Sequence, residues 1–198
     1  MEGARTQETY DVVRSFNLDG LFKTRGAGAS EITLIHKIKE GKGDEVLKVV
    51  ESIANGELED TLWGSQEIHF LRVFLMDNNT RLAFITNFDG AVDDYLSDFL
   101  VHMPAHLDLL WGNCEGYPEK GAGGDFRAFM EFIVSGYVPC QFFFAAYPDA
   151  TVKQVWRALD WEKKTREFQR DLAKPTPPRV RDESSAQRVS GVTAPAAV

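Results

Sequence analysis

The chain has few cysteines, a deficit of basic residues and no long uncharged apolar run. Its two cysteines, Cys114 and Cys140, sit in no CxxC spacing. Neither a disulfide scaffold nor a thiolate metal knuckle is expected, and both thiols read as reduced. Lys and Arg number 22 against 30 Asp and Glu, a formal charge of −8. An acidic body without a basic stripe repels phosphate backbones, which argues against nucleic acid as a partner. No stretch approaches the roughly 18 uncharged apolar residues of a membrane span, and the opening MEGARTQETYDVV carries no apolar h-region, so a soluble, cytoplasmic protein with no membrane partner is expected. The GAGG at 121–124 precedes a helical pattern but lacks the lysine and the spacing of a phosphate loop.

Phenylalanine, by contrast, is abundant. There are 14 in 198 residues, in a chain that is 43% hydrophobic and 12% aromatic. Flat apolar side chains at that density fill a core or line a pocket, and the length suits one domain.

The densest strand signal is IHFLRVFLMDNNTRLAFITNFDG, residues 68–90, two apolar runs joined by a polar turn. Before it, EITLIHKIK alternates Ile32, Leu34, His36 and Ile38 against Thr33, Ile35 and Lys37, a half-buried strand, and a helix follows with Asp44 as its cap and Asn55-Gly56 as its stop. After Gly90, residues from Val92 to Met103 form a helical stripe with Asp89 as its cap, until Pro104 breaks it. A Gly-rich connection, GNCEGYPEKGAGG, leads to a helical face from Phe126 to Tyr137 and then to QFFFAAY, a fourth strand candidate. Thr151 with Gln154 reads as a capping box for a last helix through Leu172. The expected organisation is an N-terminal arm with one short helix over 1–30, an α+β domain over 31–173 and a disordered tail rich in Pro, Ser and Ala over 174–198. The order β-α-β-β-α-(α)-β-α matches a ferredoxin-like antiparallel sheet with helices on one face.

The opening ITLIHKIKEGKGDEVLKVVESI, with HFLR (His69–Arg72), NFDG (Asn87–Gly90) and CEGYP (Cys114–Pro118), resembles the dimeric α/β-barrel superfamily, and within it a largely uncharacterised bacterial group. The resemblance covers residues 31–172. It implies a homodimer in which two ferredoxin-like sheets face each other. The wider superfamily includes haem enzymes akin to dye-decolorising peroxidases, chlorite dismutases and aldoxime dehydratases, as well as cofactor-free monooxygenases and plain binding proteins. Three readings therefore stay open: a haem-dependent oxidoreductase of the peroxidase or oxygenase kind, a cofactor-free enzyme or small-ligand-binding protein, and a non-catalytic interaction module or accessory subunit.

If DNNT closes the hairpin symmetrically, Met76 faces Arg81, Phe70 faces Asn87 and Arg72 faces Ile85. Arg72 then shares a face with Phe70, Phe74 and Asn87. A guanidinium there needs a carboxylate partner such as Asp89 or Glu115, or it anchors an anion such as a haem propionate or a substrate carboxylate. His69 is a hydrogen-bonded core residue, an acid-base group or an axial metal ligand. Phe70, Phe74, Asn87, Cys114 and Glu115 are the candidate ligand contacts, for a small hydrophobic or anionic molecule. On a regular strand His69 and Arg72 fall on opposite faces, so one pocket takes both only if the strand bulges. His102 and His106 have i, i+4 spacing, but Pro104 between them spoils a metal pair.

Overall fold

The computed structural model describes residues 2–18, 29–56 and 66–174. Apart from Lys174, the expected tail lies outside the described residues, as does most of GAGAS. In chain order the elements are α1 (Glu2–Arg14), β1 (Ser30–Lys37), α2 (Gly43–Ala54), β2 (Ile68–Met76), β3 (Arg81–Phe88), α3 (Val92–His102), α4 (Pro104–Trp111), α5 (Phe126–Ser135) and α6 (Val152–Leu172). The three strands form one antiparallel sheet in the order β1-β3-β2. With six helices among the described residues, the fold class is α+β.

Register starts at the hairpin. Asp77, Asn78 and Asn79 all take left-handed backbone, at φ of 53°, 55° and 61°, a conformation that Asn and Asp tolerate better than other side chains. They fold β2 onto β3 with Met76 opposite Arg81, Arg72 opposite Ile85 and Phe70 opposite Asn87, the pairing that a symmetric turn requires. One step further the ladder slips. Ile68, not His69, faces Phe88, and His69 is the extra residue of a bulge.

Alternation sorts the sheet into two faces. Ile32, Leu34, Leu82, Phe84 and Phe88 are buried on one of them. Val13 of α1, Val46 of α2, Leu96 and Leu100 of α3, Leu107 and Trp111 of α4, and Phe129 and Ile133 of α5 close over it in a single core. Helix α1 packs on α3 and α5. The opposite face stays open, with Phe70 60% and Phe74 43% exposed.

Helix ends follow local chemistry in part. The Asp125 carboxylate accepts from the Ala128 N–H at 3.0 Å to cap α5. Thr151 and Gln154 form the expected capping box at 2.8 and 3.2 Å. Pro104 starts α4 and separates it from α3 at Met103, so His102 and His106 fall on different helices. Asp44 lies in the first turn of α2 but does not cap it, because the cap position is Lys42 and has no side-chain bond.

QFFFAAY is not a strand. Tyr137 makes an isolated bridge to Leu34, with Ile35 N–H donating to Gly136 C=O at 2.8 Å and Val138 N–H to Thr33 C=O at 2.9 Å. Past Pro139 the chain turns on itself, and the Cys140 thiol donates to the Phe142 carbonyl at 3.1 Å. Strand propensity reflects packing on a half-buried pleat, and without a ladder the aromatic run stays irregular.

Contacts divide the chain after Ala158, inside α6. The described part of the second unit is helical through Leu172 and carries an i, i+4 ion pair between Asp160 and Lys164 at 2.6 Å. Among the described residues no helix is long and apolar enough to cross a membrane.

Candidate functional site

The bulge in β2 builds the site. The extra residue re-aims the strand, so His69 and Phe70, which a regular pleat would send to opposite faces, line one cavity. The side chain of His69 is 8% exposed, and its Nε2 lies 2.8 Å from Asp89 Oδ1. A carboxylate only accepts, so Nε2 donates and Nδ1 is left as the accepting nitrogen. Asp89 is itself fixed from two further sides. Its Oδ2 accepts the Val152 N–H at the start of α6 at 2.8 Å, and its backbone N–H donates to the Glu67 carbonyl at 2.9 Å.

That role differs from the one expected of Asp89. Helix α3 is capped at Ala91, with no side-chain bond, and Gly90, at φ of 86°, turns the chain between Asp89 and that helix. The carboxylate caps the last helix instead of the next one, and it orients an imidazole while doing so.

Ala29, His69, Phe70, Asn87, Phe143, Phe144 and Tyr147 line a cavity of about 290 Å³. The Tyr147 ring sits 6.4 Å from the His69 ring, centre to centre. The irregular segment after Pro139 thus supplies the wall opposite the sheet. Glu31 stands beside Asn87 on the neighbouring strand; it is 5% exposed, and Thr33 Oγ1 donates to its Oε2 at 3.2 Å. Burial pushes the Glu31 carboxyl above its ordinary range, against the hydrogen bond from Thr33. Burial, reinforced by Asp98, likewise pushes up the Glu67 carboxyl.

Of the residues singled out from the sequence, His69, Phe70 and Asn87 meet at this cavity. Arg72 and Phe74 share the open face but do not line it, and Arg72 is exposed, with no ion pair to any described residue. Both carboxylates expected to pair with Arg72 are taken, Asp89 by His69 and Glu115 by Lys37 at 2.7 Å. Cys114 and Glu115 lie at the other end of the sheet, where Cys114 bridges Ile38. Nine residue steps along β1 separate Ile38 from Ala29, roughly 30 Å. Cys114 is fully buried, and burial pushes its thiol up to about 12, which keeps it protonated and unreactive.

His36 does not approach His69. It pairs with Leu82, level with Leu75 and six residues along β2 from His69. It is 4% exposed in the core, stacked on Phe132 at 3.8 Å. No group of three His, Cys, Asp or Glu that could hold a metal ion occurs among the described residues.

Sequence reasoning gave Asp89 another role, as a helix cap or a partner for Arg72, and did not single out Glu31. Asp89 stands twenty positions from its histidine and sixty-three from the helix it caps, and NFDG reads locally as a strand end and a turn. The alternation of β1 sends Glu31 outward with Thr33 and Lys37, the place of a solvated acid. In comparison with known proteins, the chain matches no family model, no curated protein and no solved structure.

Proposed function

We propose that the protein binds a small apolar molecule in the cavity at the β2 bulge, and that His69, oriented by Asp89, exchanges a proton with it. The observation that carries this reading is the 2.8 Å contact between Nε2 and Oδ1 in the wall of an aromatic cavity. With Nε2 donating to the carboxylate, Nδ1 takes the proton, and Asp89 stabilises the resulting imidazolium. A small apolar pocket with a few convergent polar groups is the usual form of a ligand site.

The cavity as formed does not fit the haem that the resemblance implies. About 290 Å³ is at the small end of the roughly 300–1,000 Å³ of pockets that hold drug-sized ligands, and a tetrapyrrole needs the upper part of that range. No lysine or arginine is among the described lining residues to meet propionates. The cofactor-free reading is therefore preferred over the haem oxidoreductase. Titration with haemin is expected to produce no Soret band, and a band that His69→Ala removes would overturn the choice. For the reading itself, a small apolar fragment library is screened by NMR. Hits are expected to shift the signals of His69, Phe70, Asn87 and Tyr147 together, and hits that map only elsewhere would sink it.

A ferredoxin-like sheet closed by a second copy is the architecture that accompanies this reading. Its support is the order β1-β3-β2 with Tyr137 bridging the outer edge of β1, where a fourth strand would stand. Phe70, Phe74, Val138, Phe142 and Phe144 are exposed on the open face and on the segment beside it, a patch that a partner would cover. Light scattering is expected to give a dimer that Phe74→Glu converts to monomer; a monomeric wild type would refute it.

A further inference from the structure

We infer that the ligand of this cavity is a neutral hydroxyl compound with an apolar body, whose hydroxyl donates to His69 Nδ1 and accepts from the Asn87 side-chain amide. The inference rests on the reading of the cavity as a ligand site and assigns the ligand its polar group.

Placement comes first. Both residues line the cavity. Asn87 stands between Thr86 and Phe88, which are fully buried in the core, so the pleat turns its side chain to the open face. There it is opposite Phe70, and the bulge sets His69 next to that pair. Nε2 of His69 is held by Asp89, which leaves Nδ1 as an acceptor only. Among the described residues nothing bonds Nδ1 or either polar atom of the Asn87 side chain. None of these three atoms is a buried orphan, so all three stay reachable.

The charge balance disfavours an ionic head group. Among the described lining residues there is no Asp, Glu, Lys or Arg. An ammonium would find no free carboxylate, since Asp89 Oδ1 is taken by His69 and Oδ2 by the Val152 N–H. A carboxylate would find no cation of its own, because Asp89 already balances any charge that His69 takes up. Desolvating either ion against Phe70, Phe143, Phe144 and Tyr147 would go uncompensated. A hydroxyl is neutral and both donates and accepts, so one such group satisfies the acceptor at Nδ1 and the donor at Asn87 Nδ2. An ether or a ketone satisfies only the second.

The test compares probes built on one phenyl ring and a two-carbon chain: 2-phenylethanol, its methyl ether and ethylbenzene, with 2-phenylethylamine and 3-phenylpropanoate as the charged members. Each is titrated into the full-length protein at neutral pH, and affinity is read by calorimetry and by NMR shifts. The alcohol is expected to bind about tenfold more tightly than its ether, the worth of one hydrogen bond, and more tightly than either ion. It should also shift the Nδ1 signal of His69 more than the Nε2 signal. In His69→Phe the alcohol and the ether should converge to within about twofold, and in Asn87→Leu both should weaken by about fivefold while ethylbenzene is unchanged. Alcohol and ether binding equally in wild type, or an ion binding more tightly than the alcohol, would overturn the inference even if the variants failed to fold. So would an alcohol preference that survives His69→Phe, or alcohol binding that Asn87→Leu leaves intact. In each of these cases wild-type shifts at His69 and Asn87 would leave the ligand site standing. If no probe moves those signals, the cavity reading falls together with the inference.

Discussion

The two ends of the sheet each hold one buried histidine, and the strand geometry around each decides what it can do. At the closed end β1 is regular, and His36 stacks on Phe132 with Trp111 edge-on at 6.3 Å. Its Nε2 has no hydrogen-bond partner, and burial drives the imidazole down to about 4. At the other end the ladder slips by one residue, and His69 emerges into a cavity with a carboxylate 2.8 Å from Nε2. The same side chain is packed without a polar partner in one place and held by a carboxylate at a cavity wall in the other. An uninterrupted pleat has no room for the polar partner that chemistry needs, whereas a bulge makes that room.

Four measurements test this contrast. The largest effect is expected at His36. Its folded pKa, about 4, lies below the ordinary 6.5, so the unfolded chain takes up the proton first as pH falls. Stability is whole above pH 6.5 and drains away between 6.5 and about 4, by about 3 kcal/mol in total. Urea denaturation at pH 7 and pH 4.5 should therefore show a loss that His36→Leu largely removes. An unchanged pH slope in the variant would mean that His36 is not the buried neutral group described.

Gly136→Ala attacks the same end through the backbone. A Cβ there would lie 2.2 Å from His36 Cε1, and a ring stacked on Phe132 has nowhere to retreat. A cost of about 2 kcal/mol is expected from such overpacking, and a variant as stable as wild type by thermal melting would contradict the close approach.

At the bulged end, Asp89→Ala removes a histidine partner and a helix cap together. About 2 kcal/mol should be lost, and the ring-nitrogen shifts of His69 should show its preference for the Nε2–H tautomer relaxing. Asp89→Asn keeps the side-chain size and an acceptor oxygen, so it should retain most of the stability while changing those shifts. Identical His69 spectra in all three proteins would break the dyad. The smallest effect is expected at Arg72. It is exposed and has no described ion pair, so Arg72→Ala should stay within about 0.5 kcal/mol and leave fragment binding unchanged. A large loss of affinity would return Arg72 to the site.

The contrast was only half legible in the sequence. The alternation of β1 placed His36 on the face with Ile32 and Leu34, where the core lies. The symmetric reading of DNNT yielded the β2–β3 register down to Phe70 opposite Asn87, because a tight turn propagates its pairing along a regular ladder. His69, Phe70 and Asn87 were reached in this way. Arg72, Phe74, Cys114 and Glu115 were grouped with them by type or by shared face, and none of them lines the cavity.

Periodicity, turn chemistry and capping residues are local, and they determined the elements: the strands, the hairpin, the break at Pro104 and the capping box at Thr151 and Gln154. Tertiary structure decided the site. The bulge at His69, the reach of Asp89 to both His69 and Val152, and the burial of Glu31 opposite Asn87 depend on residues twenty to sixty-three positions apart meeting in space. The irregular course of QFFFAAY belongs with them, because a strand exists only where an edge accepts its hydrogen bonds. Local patterns carry no information about such meetings, since the free energy that selects them is gained only when the core has closed.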